Sequence, residues 1–160
     1  MIMGKYFMQG DDLREPFSVR RAVFVEELNQ PESAAFDGAD GDCIHALAYD
    51  DERVPAATGR LRLHEDGTFE IGCVAVLADK RRQKLGDFIV RLLLDRAFLC
   101  GAMEIFLTAT AESAPFFESI GFAATGEKTD AGVPMSVRRG GVKTACGHHS
   151  DPAPACPGCG

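Results

Sequence analysis

The segment Ile71–Phe88, IGCVAVLADKRRQKLGDF, constrains this chain more than any other. Its apolar run from Ile71 to Leu77 predicts a buried strand. A basic loop, Lys80-Arg81-Arg82-Gln83-Lys84, follows at once. Leu85-Gly86 then opens a long amphipathic stretch. A strand that delivers a loop of donors to a helix N-terminus makes a cradle for a pyrophosphate. Backbone N–H groups point outward there, and the helix dipole favours an anion.

Charge sharpens this reading. The chain has 160 residues, a net charge of −7 and a pI near 5.0. An acidic chain is a poor general binder of nucleic acid. The four basic residues of Lys80–Lys84 therefore read as aimed at one anionic ligand; the plain alternative is a solvated, basic helix start. No stretch approaches the ~18 apolar residues of a membrane helix. Met1-Ile2-Met3-Gly4-Lys5 lacks the apolar core of a signal peptide. The expectation is a cytoplasmic protein with neither a nucleic-acid nor a membrane partner. Cys43, Cys73 and Cys100 lie singly in or beside predicted elements and read as buried hydrophobes.

The remaining chain predicts a mixed architecture. Lys5-Tyr6-Phe7-Met8 suits a first strand, and Leu13 to Leu28 a helix with Pro16 near its start. The stretch from Asn29 to Asp42 is acidic and loop-like. Strands are expected over Ile44–Tyr49, Ala56–His64 and Thr68–Leu77, joined by polar turns. From Gln83 to Leu99, the residues Leu85, Phe88, Ile89, Leu92, Leu93 and Ala97 recur at the spacing of one buried helix face. A strand at Glu104–Ala109, a short helix at Ala114–Ser119, and strands near Ala123–Lys128 and Pro134–Arg138 complete the order. The expected fold class is α/β (α+β), a mixed and largely antiparallel sheet flanked by helices. A regularly alternating doubly wound sheet is excluded. The expected domain is 1–139, with a Cys/His-rich tail at 140–160.

Three blocks in order resemble the GNAT superfamily of acetyl-CoA-dependent N-acetyltransferases. Arg81-Arg82-Gln83-Lys84-Leu85-Gly86 is similar to its phosphate-binding motif, Arg/Gln-x-x-Gly-x-Gly/Ala, with Lys84 in place of the first glycine. Phe116-Phe117-Glu118-Ser119-Ile120-Gly121-Phe122 resembles its F-Y-E-K-x-G-F block. Arg21-Ala22-Val23-Phe24-Val25-Glu26-Glu27, the acidic loop and His45-Ala46-Leu47-Ala48-Tyr49 resemble a short bacterial subgroup with the pattern R-x-V-F-V-x-E-Q, although Leu28 replaces the final Gln. The resemblance covers about residues 5–139.

The resemblance implies acetyl transfer to a primary amine, of a small molecule before a protein, with acetyl-CoA as cosubstrate. It implies a fourth strand splayed from the fifth. Val74 and Val76 would then hydrogen-bond the pantetheine arm, and an N–H near Val74 or Ala75 would polarise the thioester carbonyl. Arg81, Arg82, Gln83, Lys84, Leu85, Gly86 and Asp87 would hold the pyrophosphate, and Phe117 would pack on the coenzyme. Glu70 is the preferred general base. It lies four residues before Val74, so strand alternation puts it on the face of Val74 and Val76, and some family members carry a catalytic glutamate at the matching position. An ordinary exposed glutamate after a turn is the alternative. Glu27, at a helix end, is the second candidate, against a solvated helix-end charge. His45 is the third, against a satisfied core histidine. Phe117 stands where the family usually has a tyrosine, so it donates no proton to the leaving thiolate; either water does that work, or the thiolate departs unprotonated, or the protein binds acetyl-CoA without efficient turnover. The acidic residues of Glu26–Asp42 would line a mouth that attracts amines, or form a solvated loop.

From Gly140 the composition shifts to Gly, Pro, His and Cys. Cys146, His149, Cys156 and Cys159, with His148 adjacent, offer a ligand set that suits a structural zinc; a fortuitously Cys-rich terminus is the alternative. A second functional hypothesis is a non-catalytic acyl-CoA-binding or sensing module with a metal-binding tail. A homodimer is compatible with either.

Overall fold

The computed structural model describes residues 2–144. Its strands are β1 (Met3–Phe7), β2 (Ile44–Tyr49), β3 (Pro55–Leu63), β4 (Phe69–Val76), β5 (Glu104–Ala109), β6 (Ala123–Ala124) and β7 (Val133–Arg138). Its helices are α1 (Arg14–Arg20), α2 (Glu32–Ala35), α3 (Leu85–Leu99) and α4 (Ala114–Ile120). The seven strands form one sheet in the order β1-β2-β3-β4-β5-β7-β6. Of its pairings, β4–β5 alone is parallel. This is the mixed, largely antiparallel architecture expected from the element order.

Two apolar clusters hold the layers together. On one face, α3 buries Leu85, Ile89, Leu93 and Ala97 against Ala57, Leu61, Ile71, Val74 and Val76. The predicted stripe supplies that set, with Val90 and Leu94 buried beside it. Glycine lets the helix sit this low. A Cβ at Gly59 would lie 2.8 Å from both Ile89 Cγ2 and Leu93 Cδ1. One at Gly4 would meet Leu92 and Phe88 at the same distance. On the other face, Val19, Val23 and Phe24 cover Leu47, Cys73 and Ala75.

The predicted helix from Leu13 to Leu28 is formed, but its second half, Arg21–Glu27, winds as a π-helix. The Leu28 N–H reaches back to Val23 O at 3.0 Å. Wider winding of this kind is rare and is often found at functional sites. Two further differences are local. Strand β6 is shorter than expected, and Cys100 is exposed at the end of α3 instead of buried. The last described residues still touch the domain: Lys143 donates to Ile120 O at 2.7 Å and accepts from Arg91 at 2.6 Å. Among the described residues, no helix is long and apolar enough to cross a membrane.

Candidate active site

The site is built where the sheet opens. Strands β4 and β5 pair at two rungs, Phe69↔Ile105 and Glu70↔Phe106. From Ile71 to Val76, β4 has no β5 partner among the described residues. The two strands diverge there and leave a split in the sheet. α3 begins just beyond the split's upper end.

A bulge in β4 decides which groups face the split. Thr58 pairs with Ala75, but Arg60 pairs with Gly72, so Cys73 and Val74 together oppose Gly59. Cys73 takes a left-handed φ of 53° to accommodate the extra residue. Beyond the bulge, Leu77 N–H donates to Ala56 O at 2.9 Å, which makes Ala56 and Leu77 a hydrogen-bonded pair. In an antiparallel ladder such pairs alternate with pairs whose main-chain groups point away. Ala57↔Val76 is therefore a pair of the second kind, and Val76 and Val74 direct their N–H groups into the split. Ala75, on the alternate position, directs its own toward β3. Between the two N–H candidates for polarising a carbonyl, the register favours Val74.

The same bulge corrects the expectation for Glu70. Uninterrupted alternation predicts Glu70 on the face of Val74 and Val76; the structure places it on the opposite one. Glu70 is paired with Arg62 and shares that strand face with Arg60 and Thr58, whereas Val74 and Val76 join the α3 cluster. One inserted residue reverses the parity of everything beyond it. Glu70 nonetheless stands at the last rung before the split, half-buried, with His64 Nε2 3.3 Å from its Oε1. The sequence reading overlooked His64. The signal was available, because a hairpin turning at Glu65-Asp66-Gly67 pairs His64 with Thr68 and sets it diagonal to Glu70.

The other two base candidates are engaged elsewhere. His45 is completely buried, with Nε2 3.1 Å from Asp40 O and Nδ1 3.5 Å from Arg20. Burial pushes its pKa below the ordinary value. It is the satisfied core histidine, remote from solvent. Glu27 accepts two hydrogen bonds from Arg81, at 2.7 and 2.9 Å. The acidic loop behaves in the same way. Asp40 lies against the buried Arg20 at 2.9 Å, and Asp37 against the buried Arg60 at 2.9 and 3.0 Å. The Arg60 guanidinium holds the Asp37 carboxyl down to about 2. These two carboxylates are internal counter-ions, which removes them from any amine-attracting mouth.

The basic loop divides into two pairs. Lys80 is tied to Asp50 at 2.9 Å and Arg81 to Glu27. Arg82 and Lys84 are exposed and have no ion pair with a described residue. Both take left-handed backbone, with φ of 69° and 61°. Lys84 is thus the N-cap of α3 in a conformation glycine would adopt freely. Leu85, Gly86 and Asp87 form the first turn, whose N–H groups lack intrahelical acceptors. The Leu85 side chain is core, and Asp87 accepts from Arg91 Nε at 2.8 Å. Gln83 is exposed on the same loop.

Phe117 is buried in α4, edge-on to Phe116 at 5.0 Å and Phe122 at 5.8 Å. Its ring is covered by core and carries no hydroxyl. The candidate zinc ligands Cys146, His149, Cys156 and Cys159 lie outside the described residues. Among the described residues no cluster of three or more His, Cys, Asp or Glu side chains is arranged to hold a metal.

Comparison with known proteins agrees with this geometry. The model of the acetyltransferase (GNAT) family matches residues 11–122. The uncharacterized N-acetyltransferase YjcF of Bacillus subtilis is 32% identical over 126 residues, covering 78% of this chain and 89% of its own. The crystal structure of Escherichia coli ElaA superposes with a TM-score of 0.77 at 25% identity, over 86% of this chain and 100% of that one. The PaiA N-acetyltransferase of Thermoplasma acidophilum, solved in complex with coenzyme A, shares the fold with a TM-score of 0.67 at 14% identity, over 87% and 99% of the two chains.

Proposed function

This chain belongs to the GNAT family and is an acetyl-CoA-dependent acyltransferase, and we propose that it transfers the acetyl group to a primary amine of a small molecule, by direct attack within a ternary complex. The observation that carries this reading is the split above Glu70. It offers two inward main-chain N–H groups, Val74 and Val76, in line with a helix N-terminus and with Arg82 and Lys84, two cations that have no ion pair with a described residue. An extended amide-bearing arm ending in a pyrophosphate fits that set: N–H donors along its length, and N–H donors and positive charge at its end.

The chain's own groups divide the work. The N–H groups of Leu85, Gly86 and Asp87, with Arg82 and Lys84, hold the phosphates. Val76 and Val74 register the arm along β4, and the Val74 N–H polarises the thioester carbonyl as negative charge grows on its oxygen. Glu70 accepts a proton from the incoming ammonium through a water, because its carboxylate lies on the far face of β4 from the Val74 side chain. His64 orients that carboxylate. Phe117 supplies no proton, so as the C–S bond breaks the thiolate is protonated from water, and the nitrogen of the tetrahedral intermediate gives its second proton back to water. The pairing of Lys80 and Arg81 within the fold supports a single anionic ligand over a polyanion.

The test is loss of thioester from acetyl-CoA against a panel of small primary amines, for wild type and Glu70→Gln. At least one amine is expected to drive turnover in the wild type. Glu70→Gln is expected to lower kcat by about 100-fold, within the range for a lost general base, with little change in the KM for acetyl-CoA. Equal turnover in the two proteins would remove Glu70 from its role.

A further inference from the structure

We propose that Arg81 is a positioning residue that sets the mouth of the β4–β5 split, and that its side chain is not a ligand of the coenzyme phosphates. The inference rests on the split being the coenzyme site. Its position in the basic loop suggests a phosphate contact, but its bonds run the other way. Arg81 Nη1 donates to Glu27 Oε2 at 2.9 Å, and Nη2 donates to Glu27 Oε1 at 2.7 Å. Nη2 also donates to Val76 O at 3.0 Å.

Each partner has a place in the split. The Val76 carbonyl belongs to a residue whose main-chain groups point away from β3, so it lies on the split's inner edge. Arg81 caps that carbonyl at the point where β4 leaves the sheet for the loop. Glu27 ends the π-helical segment, whose Val23 and Phe24 pack against the opposite face of β4. The guanidinium thus ties the N-terminal helix to the strand rim across 54 residues of sequence. A planar fork matched to a carboxylate fixes direction as well as distance, which an ammonium does not. Turning Arg81 toward a phosphate would leave the Glu27 carboxylate without its cation and the Val76 carbonyl uncapped. Arg82 and Lys84 have no such partners among the described residues.

The two roles predict opposite results with a phosphate-free substrate. The probes are acetyl-CoA and S-acetylpantetheine, which keeps the thioester and arm but lacks the phosphates. If Arg81 positions the split, Arg81→Lys and Glu27→Gln each raise the KM for both probes by a similar factor, about tenfold, with a smaller effect on kcat. Arg82→Ala raises the KM for acetyl-CoA alone. If Arg81 binds phosphate, Arg81→Lys raises the KM for acetyl-CoA and spares S-acetylpantetheine, and Glu27→Gln lowers the KM for acetyl-CoA by freeing the cation. That second pattern overturns the proposal. Should Arg81→Lys fail to fold, Glu27→Gln carries the same comparison. Calorimetry of wild type with coenzyme A separates the two levels. Failure of the wild type to bind overturns the site itself, whereas binding by wild type with both variants unchanged overturns the positioning role alone.

Discussion

Lys84 stands where the family's loop has its first glycine, and it adopts the backbone that glycine would. Its φ of 61° and ψ of 22° place it in the left-handed region, and Arg82 joins it there. Such a conformation costs an L-residue about 1–2 kcal/mol. The loop keeps its path, and two cations stand on it in return. Lys84→Gly is therefore expected to raise the unfolding free energy by up to about 1 kcal/mol in urea titration while weakening acetyl-CoA. An exposed charge contact typically contributes about 0.2–1 kcal/mol, so Lys84→Gly and Arg82→Ala should each raise the KM for acetyl-CoA, by up to about fivefold at moderate salt. An unchanged KM in both would place the phosphates elsewhere. The main-chain donors, which side-chain substitution does not remove, supply the rest of the grip.

At the scale of elements, what the sequence makes legible is what depends on near neighbours. The α3 stripe, the strand from Ile71 and the hairpin at Glu65–Gly67 follow from periodicity and turn residues, and each is where it was expected. The bulge at Cys73 is not legible, because nothing in Gly72-Cys73-Val74 marks an inserted residue; the partner strand reveals it. The Glu27–Arg81 and Arg60–Asp37 pairs are also invisible, since they join residues far apart in sequence. Acidic residues counted as a solvated loop or a mouth prove to be the counter-ions of two buried arginines. That arrangement has a pH signature. Burial lowers the pKa of His45 below its ordinary 6.5, so the unfolded chain binds the extra proton and stability declines as pH falls through that value. Arg60 depresses Asp37 from 3.8 to about 2, so its contribution is present above 3.8 and is lost as pH falls from there toward 2. Urea unfolding across pH should show a plateau above about 6.5 and two descents. Asp12, Asp50 and Asp66 are also held below the ordinary carboxylate value and share the lower descent, so Asp37→Asn should reduce it and leave the upper one; a lower descent unaltered in Asp37→Asn would contradict the assignment.

For the molecule as a whole, one topological event organises the site. A sheet that is otherwise continuous from β1 to β6 opens between the one parallel pair found among the described residues. The bulge in β4 and the start of α3 then fall along one edge of that opening. The helix dipole, the inward N–H groups and Glu70 lie in sequence along the same strand and its exit loop. That order matches an acyl-CoA laid from phosphates to thioester. On this reading the coenzyme occupies the split and is gripped by β4. Amide resonances of the uniformly 15N-labelled protein, followed as coenzyme A is added, test it most directly. Downfield shifts are expected at Val74 and Val76, larger than at Ala75, together with shifts at Leu85, Gly86 and Asp87. Saturable binding that leaves Val74 and Val76 unmoved would contradict it.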